Sequence, residues 1–331
     1  MTVYESRFLI KMKRVLITGA AGFIGFHLAQ HLQKRGDAVI GLDNFNAYYD
    51  PELKYRRMRV LQEASIHVIC ADIQEGALLK KIMAEEEITH VVHLAAQAGV
   101  RHSILKPQDY AASNLHGFLS ILEACRAFPH VKLIYASSSS VYGLNKKTPF
   151  AVEDQTDHPT NLYGATKKAN EVMAHAYHQL YGFSVTALRY FTVYGPWGRP
   201  DMAYYHFTRQ ISEGKPINVF NHGLMKRDFT YIDDIIAGTV AAIDLGASYE
   251  IFNLGNHNPV SLLYLIDLLE EKLGKKATRN LLPMQPGEVL ETYADIQKSQ
   301  DLLQFRPTTS IEEGISRFID WYRCYGEGQL A

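Results

Sequence analysis

The segment "RVLITGAAGFIGFHLAQHLQKRG", Arg14 to Gly36, constrains this chain more than any other. A short β-branched run ends at Gly19, further glycines follow at Gly22 and Gly25, and a helical stretch closes on Gly36. That order predicts a buried parallel strand, a tight turn with no Cβ at Gly19, and a helix with a glycine C-cap. The next apolar run, "AVIGLD", ends on the acid Asp43. Strand-like runs then alternate with helical stretches as far as Gly195: "HVICADI", "GALLKKIMAEEE", "HVVHLAA", "AASNLHGFLSILEACRAF", "KLIYASSSS", "TNLYGATKKANEVMAHAYHQLYG" and "SVTALRYFTVYG". Such alternation predicts an α/β fold on a doubly wound, Rossmann-type parallel sheet.

A glycine turn that opens a helix aims free N–H groups and the positive end of the helix dipole at a space no side chain fills. A dinucleotide pyrophosphate needs that arrangement. A glycine triplet alone is weak, but this one follows a strand, opens a helix and precedes a strand ending in a carboxylate. Asp43 is placed to accept from the adenosine ribose hydroxyls and to repel a 2′-phosphate, so the expected cofactor is NAD rather than NADP. Asp72, closing "VICAD", has two compatible readings: an acceptor for the adenine amino group, or the N-cap of the next helix.

"YGATK" sets Tyr163 and Lys167 one helical turn apart on the same face. A lysine cation beside the phenol, under a positive nicotinamide ring, is expected to lower the Tyr163 pKa and make it a base near neutral pH. The adjacent strand ends in "LIYASSSSVYGLN", four serines from Ser137 to Ser140 with no carboxylate among them. One of those hydroxyls can bond the substrate oxygen that Tyr163 serves.

After Gly195 the pattern loosens. "GPWGRPDM" is a loop, "AYYHFTRQISEG" a helix, "INVF" a short strand, and "YIDDIIAGTVAAIDLG" a helix expected to return to the first lobe. "SLLYLIDLLEEKLG" and "SIEEGISRFIDWYRCYG" read as helices of a smaller lobe, with "WYRCYG" an aromatic core cluster. The 331 residues suffice for one large α/β unit or two lobes around a cleft. Lys+Arg total 34 against 35 Asp+Glu, so no nucleic-acid or membrane surface is expected. No apolar run reaches the roughly 18–20 residues that span a bilayer. The opening "MTVYESRFLIKMKRVLITG" is broken by Lys11, Lys13 and Arg14 and does not read as a signal peptide; Met12 is an alternative start. Cys70, Cys125 and Cys324 match no metal spacing and read as buried structural thiols of a cytoplasmic protein. His90 and His93 read as structural, Asp233 and Asp234 as N-terminal charges on their helix, and no metal is expected.

"GAAGFIG", "HLAAQAGVR", "SSSSVYG", "YGATK", "LRYFTVYGPWGRPDM", "RDFTYIDD" and "QPGEV" together resemble the extended short-chain dehydrogenase/reductase superfamily. Within it the chain looks like the nucleotide-sugar 4-epimerases, and most of all the UDP-glucuronate 4-epimerases, an isomerase family. The resemblance runs from Arg14 almost to the C-terminus. It implies tightly bound NAD, UDP-glucuronate and UDP-galacturonate as substrate and product, and a homodimer paired through the helices around "AASNLHGFLSILEAC" and "ATKKANEVMAHAYHQL". It implies an N-terminal extension over 1–12, an NAD-binding domain over 13–195 rejoined by 228–255, and a mainly UDP-sugar-binding lobe over 196–331.

In that family the tyrosine takes the proton of the sugar 4-hydroxyl while hydride leaves C4. The 4-keto sugar turns over in the site, and hydride returns to its other face. By position, Tyr163, Lys167 and Ser138 become the catalytic residues. The cofactor residues become Gly19, Gly22, Phe23, Ile24, Gly25, Asp43, Asn44, Asp72 and Ile73, then Leu94, Ala95, Ala96, Gln97, Asn114 and Tyr190 beside Tyr163 and Lys167. Relatives that eliminate water or decarboxylate carry acids where this chain has Ser139 and Ser140. Neutral hydroxyls there suit a carboxylate that is bound and kept intact. Thr192, where UDP-galactose-type epimerases generally have Asn, and Arg199, a planar fork, join Ser139 and Ser140 as carboxylate candidates. Arg199 has the alternative readings of a surface or phosphate contact, and Ser140 that of a strand-end hydroxyl bonded to backbone. Val100, Met202 and Val219 complete the sugar and nucleotide contacts. Arg227 and Arg101 are candidates for the UDP phosphates, and Glu288 for the UDP ribose, where most relatives have Asp. Phe220 is either a uracil stack or a core side chain. The rival expectations are a neutral-sugar UDP-hexose 4-epimerase, a decarboxylase or 4,6-dehydratase, and a catalytically silent NAD-bound regulatory protein.

Overall fold

Runs of Val, Ile and Leu with no polar face need cover on both sides, which a parallel sheet between helical layers provides. The computed structural model describes residues 12–325. Its strands in chain order are β1 (Arg14–Thr18), β2 (Ala38–Asp43), β3 (His67–Cys70), β4 (His90–His93), β5 (Lys132–Ser138), β6 (Val185–Tyr190), β7 (Thr192–Tyr194), β8 (Ile217–Phe220), β9 (Lys226–Tyr231), β10 (Tyr249–Leu254), β11 (Pro259–Ser261) and β12 (Arg279–Leu282). The helices are α1 (Phe23–Arg35), α2 (Glu52–Glu63), α3 (Gly76–Glu85), α4 (Val100–Leu105), α5 (Pro107–Tyr110), α6 (Phe118–Ala127), α7 (Leu162–Tyr181), α8 (Ala203–Ser212), α9 (Ile232–Leu245), α10 (Leu262–Leu273), α11 (Gln297–Leu303) and α12 (Ile311–Tyr325).

The central seven-stranded sheet runs β10-β6-β5-β4-β1-β2-β3, parallel throughout. Strand order reverses between β1 and β4, and a ligand crevice opens at such a switch point, off the carboxyl ends of the strands. This is the expected Rossmann-type fold. One layer of apolar side chains includes Leu16, Leu79, Phe118 and Leu122; the other includes Val15, Phe26, Leu188 and Ile235. The second part of the chain adds the small sheets β11-β9-β7 and β12-β8. α9 packs back against α1.

Several elements depart from the sequence reading. α2 lies in the charge-dense "ELKYRRMRVLQE", to which the reading assigned nothing. "SVTALRYFTVYG" is two strands, because the chain leaves the central sheet at Phe191 and β7 pairs with β9 instead. The helix expected from Ala111 begins as a wider π-helical turn, Ala111–Gly117. β5 ends at Ser138, and Ser139–Tyr142 form a 3₁₀ turn. Cys125 is buried, but Cys70 and Cys324 are exposed, since Cys70 ends the edge strand and Cys324 lies on the outer side of α12. Apart from Met12, the expected N-terminal extension lies outside the described residues. Among the described residues no helix is long and apolar enough to cross a membrane.

Candidate active site

The glycine turn is held from below by backbone and from the side by an acid. Gly19 N–H and Ala20 N–H donate to the Leu42 carbonyl at 2.7 and 3.2 Å. Asp43 accepts from Ala21 N–H at 3.1 Å and Phe45 N–H at 2.9 Å, so it shapes the turn as well as lining the cleft. Gly19 has φ +73°, and a Cβ there would lie 2.8 Å from Ala95 N. At Gly25 a Cβ would collide with the Gly19 carbonyl. α1 starts at Phe23 with no capping side chain and no acid in its first turn. The first-turn N–H groups of Phe23, Ile24 and Gly25 have no intrahelical acceptor, and all three residues line the cleft. Donors gathered at a helix start, with no anion of the protein's own among them, fit a pyrophosphate.

Most of the expected cofactor residues line this one cleft: Gly19, Gly22, Phe23, Ile24, Gly25, Asp43, Asn44, Ile73, Leu94, Ala95, Ala96, Gln97, Tyr163, Lys167 and Tyr190. Asp72 and Asn114 stand behind it. Asp72 accepts from Gln74 N–H and from Asn44 Nδ2, at 2.9 and 2.8 Å, and so anchors a cleft residue. The N-cap reading of Asp72 is not what forms, because Glu75 occupies that position. Asn114, turned inward by the π-helical turn, donates to Gln97 O and Thr166 Oγ1, each at 3.0 Å, and accepts from Gln97 N–H at 2.8 Å. Both its donors are spent on protein, so it braces the Gln97 segment rather than presenting a free amide.

The end of β5 packs against α7. Lys167 Nζ donates to the Ala136 carbonyl at 2.8 Å, Ser137 Oγ donates to Glu171 at 2.6 Å, and the Ser138 hydroxyl lies near enough to the Tyr163 phenol to lower its pKa. Three successive strand positions thus engage three helix positions four apart. Ser140 N–H takes one lone pair of Ser138 Oγ at 3.1 Å, leaving the hydroxyl proton and the other lone pair for Tyr163 and a ligand oxygen. Burial pushes the Tyr163 pKa up, while the Ser138 hydroxyl and the Arg199 charge pull it down. The charge that lowers it is that of Arg199; the expected lowering by Lys167 does not figure in the protein alone. Lys167 is itself pushed down to about 8 by burial, and a carbonyl engages its ammonium.

Ser138, Arg199 and Met202 line the same cleft as Tyr163; Ser139, Ser140 and Thr192 do not. Arg199 is paired on one edge, with Nε and Nη2 on Asp201 at 3.1 and 2.5 Å. The expected nucleotide contacts form a separate cluster. Glu288 accepts from Arg101 at 3.0 Å and Arg227 at 3.5 Å, and the Arg101 guanidinium lies 4.5 Å from the Phe220 ring centre. Val100 lies beside Gly287, next to Glu288, and Val219 is buried in β8 behind Phe220. The structure thus groups Arg101, Phe220, Arg227 and Glu288, with the Phe220 ring covered by an arginine.

Beyond Asn44, the sequence reading named nothing between β2 and the first turn of α2. Asn46, Tyr48, Tyr49 and Lys54 line the cleft, and a tyrosine pair in a polar stretch just after Asp43 was the available signal. Arg57, fully buried, donates to Ala21 O at 2.9 Å, Tyr49 Oη at 2.8 Å, Trp197 O at 2.6 Å and Gly198 O at 3.1 Å. It ties the glycine turn to the loop that carries Arg199.

The family described as NAD dependent epimerase/dehydratase matches residues 15–255. UDP-glucuronate 4-epimerase 3 of Arabidopsis thaliana is 49% identical over 332 residues, covering 95% of this chain and 77% of that protein. A crystal structure of UDP-glucuronic acid 4-epimerase from Bacillus cereus, in complex with UDP-glucuronic acid and NAD, is similar at TM-score 0.87 and 40% identity, covering 94% of this chain and 99% of the other. UDP-glucose 4-epimerase of Thermotoga maritima with UDP-glucose is similar at TM-score 0.84 but 29% identity, covering 94% and 99%.

Proposed function

Given that the chain belongs to the NAD dependent epimerase/dehydratase family, we propose that it is a UDP-glucuronate 4-epimerase, interconverting UDP-glucuronate and UDP-galacturonate. One observation carries the choice of substrate: an arginine fork, Arg199, lines the cleft of Tyr163, Lys167 and Ser138, and no carboxylate stands among the neighbouring serines. The relatives at 40–49% identity named for UDP-glucuronate support it over the neutral-sugar relative at 29%.

When bound, NAD supplies a hydride acceptor for the sugar C4 and gives the hydride back. The chain's own residues do the rest. The N–H groups at the start of α1 hold the pyrophosphate and Asp43 meets the adenosine ribose. Tyr163 accepts the proton of the 4-hydroxyl and returns it after the 4-keto sugar has turned over. With substrate bound, Ser138 gives its one proton to the same sugar oxygen. Lys167, one turn along the same face of α7, would hold the nicotinamide ribose and tune Tyr163 once NAD is in place. Arg199 grips the hexuronate carboxylate bidentately. A 4-keto-uronate is a β-keto acid, prone to lose CO₂, and a fixed, hydrogen-bonded carboxylate resists that loss.

Arg101, Arg227 and Glu288 with Phe220 form the UDP end in this reading, while residues 13–195 with 228–255 hold NAD and the remainder of 196–331 holds the UDP-sugar. A homodimer through α6 and α7 accounts for Leu119, Val172 and Leu180, apolar yet exposed on those helices. Exposed Cys70 and Cys324, unpaired, suit a reducing compartment such as the cytoplasm. Proton NMR of the protein with UDP-glucuronate, beside a tube of UDP-glucose, tests the function. Appearance of UDP-galacturonate alone supports it, and epimerisation of UDP-glucose with UDP-glucuronate untouched overturns it.

A further inference from the structure

The Arg199 guanidinium presents two pairs of parallel N–H groups, one along Nε and Nη2 and one along Nη1 and Nη2. Asp201 takes the first pair, with Nε at 3.1 Å and Nη2 at 2.5 Å. Tyr48 Oη donates to the same Asp201 oxygen that receives Nη2, at 2.9 Å, and the Arg199 guanidinium lies 5.7 Å from the Tyr48 ring centre. Arg199 and Tyr48 line the cleft; Asp201 does not. The acid therefore holds the arginine from behind and leaves the Nη1/Nη2 edge to the cleft.

The backbone around Arg199 is anchored with similar care. Arg57 donates to the carbonyls of Trp197 and Gly198. A ring nitrogen of His27, on α1, donates to Pro196 O at 3.0 Å. Trp197 is held at φ +60°, a conformation that a free loop would abandon. Every peptide from Pro196 to Gly198 is thus tied to the cofactor lobe, and the Arg199 side chain is tied by Asp201 and Tyr48.

We propose that Asp201, seconded by Tyr48, is a positioning residue for uronate specificity: it fixes the Arg199 guanidinium so that one bidentate edge faces the substrate carboxylate. The inference rests on the reading of the site as uronate-binding. Without Asp201 the arginine swings among rotamers, and each binding event must freeze it again. A second consequence concerns charge. The Asp201–Arg199 pair is neutral as a unit, so a substrate lacking the carboxylate does not leave an unpaired cation in the cleft. Selectivity then comes from the aligned edge, and misalignment lets the 4-keto-uronate carboxylate move.

The test uses the NAD-loaded protein and two variants, Asp201→Asn and Tyr48→Phe, with dissociation constants for UDP-glucuronate, UDP-glucose and UDP, and NMR of products. Asp201→Asn is expected to weaken UDP-glucuronate about tenfold to a hundredfold, leave UDP and UDP-glucose within about threefold, and raise the fraction of UDP-pentose formed. Tyr48→Phe, which leaves the ion pair in place, is expected to give the same pattern at a few-fold. Tighter or unchanged UDP-glucuronate binding in Asp201→Asn overturns the proposal, because Asp201 would then compete with the substrate. Equal weakening of all three ligands overturns it too, as a merely structural effect. If the parent protein binds and converts UDP-glucose and ignores UDP-glucuronate, the functional reading itself has failed, and Asp201 falls with it.

Discussion

Replacing Glu171 by Ala should both destabilise the protein and slow its chemistry, and the structure sets the size of each effect. Glu171 lies on α7 one turn beyond Lys167 and two beyond Tyr163. Its carboxylate receives Arg189 Nε at 2.8 Å on one oxygen and Arg189 Nη2 at 2.9 Å on the other, and Ser137 Oγ at 2.6 Å. Both side chains of the ion pair are only 3% exposed. Truncating the acid leaves Arg189 with Tyr142 Oη and Val152 O as acceptors, at 2.9 and 3.0 Å, and an uncompensated buried charge. Breaking a buried pair from one side costs about 3–5 kcal/mol. The double variant Glu171→Met with Arg189→Met removes both charges at once and should recover most of that loss. The assay is urea unfolding of parent, singles and double, followed by the fluorescence of Trp197 and Trp321. The same acid also holds Ser137, the neighbour of Ser138, against the helix that carries Tyr163. A shift of about 1 Å between reacting groups costs roughly 100-fold, so kcat should fall by about 10- to 100-fold in Glu171→Ala. A single-variant cost below about 1 kcal/mol, or two single costs that simply add in the double, would refute the buried-pair argument.

Tyr163→Phe should lower kcat by about 10²–10⁴-fold while leaving UDP-glucuronate affinity within a few-fold, read by NMR turnover and calorimetric titration. Gly25→Ala should lower the amount of NAD that copurifies, because its Cβ meets the Gly19 carbonyl and pushes the helix start away from the turn; absorbance of the denatured supernatant measures it. His93, buried against Thr18 Oγ1 at 2.7 Å, is pushed by burial from 6.5 down to about 3. The unfolded chain therefore binds the extra proton between those limits, and the contribution is complete above pH 6.5 and shrinks as pH falls. From pH 6.5 to 5 the loss is about 1.6 kcal/mol, so His93→Gln should flatten the pH dependence of urea unfolding by about that much, and an unchanged slope would count against a neutral buried His93.

What the sequence made legible was whatever depends on local spacing. The glycine turn, the acid at the end of β2 and the Tyr163–Lys167 step each need one element and one period, and all three line the cleft. What it hid depends on contacts between distant segments. α2 carries charges on most turns, yet it inserts the fully buried Arg57 between the glycine turn and the loop before Arg199, and no local pattern announces a buried arginine. Nor does spacing reveal that the strand reading "RYFTVY" must break at Phe191, since the break comes from β7 pairing with β9 instead of continuing beside β10. Asp201 looked like an ordinary loop acid two residues past Arg199. Its importance comes from Tyr48, more than 150 positions earlier, which bonds the same carboxylate.

The four serines show why a hydroxyl rather than an acid ends β5. Ser137 donates to Glu171 and Ser138 lies near Tyr163, both on α7, which packs against β5. The chain then tightens into a 3₁₀ turn, and Ser140 N–H closes it by donating to Ser138 Oγ. A carboxylate at 138 could accept that same N–H and cap the turn equally well. It could not donate to a sugar oxygen, and its charge would oppose the phenolate. Two unit charges 4 Å apart at an effective dielectric of 20 repel by about 4 kcal/mol, or roughly three units of pKa, in the direction that burial already pushes Tyr163. The same negative charge would repel the uronate that the proposed function places at Arg199. A neutral group that accepts from Ser140 while donating to a ligand oxygen satisfies the turn, the base and the substrate together, and among small side chains a hydroxyl is the one that does so.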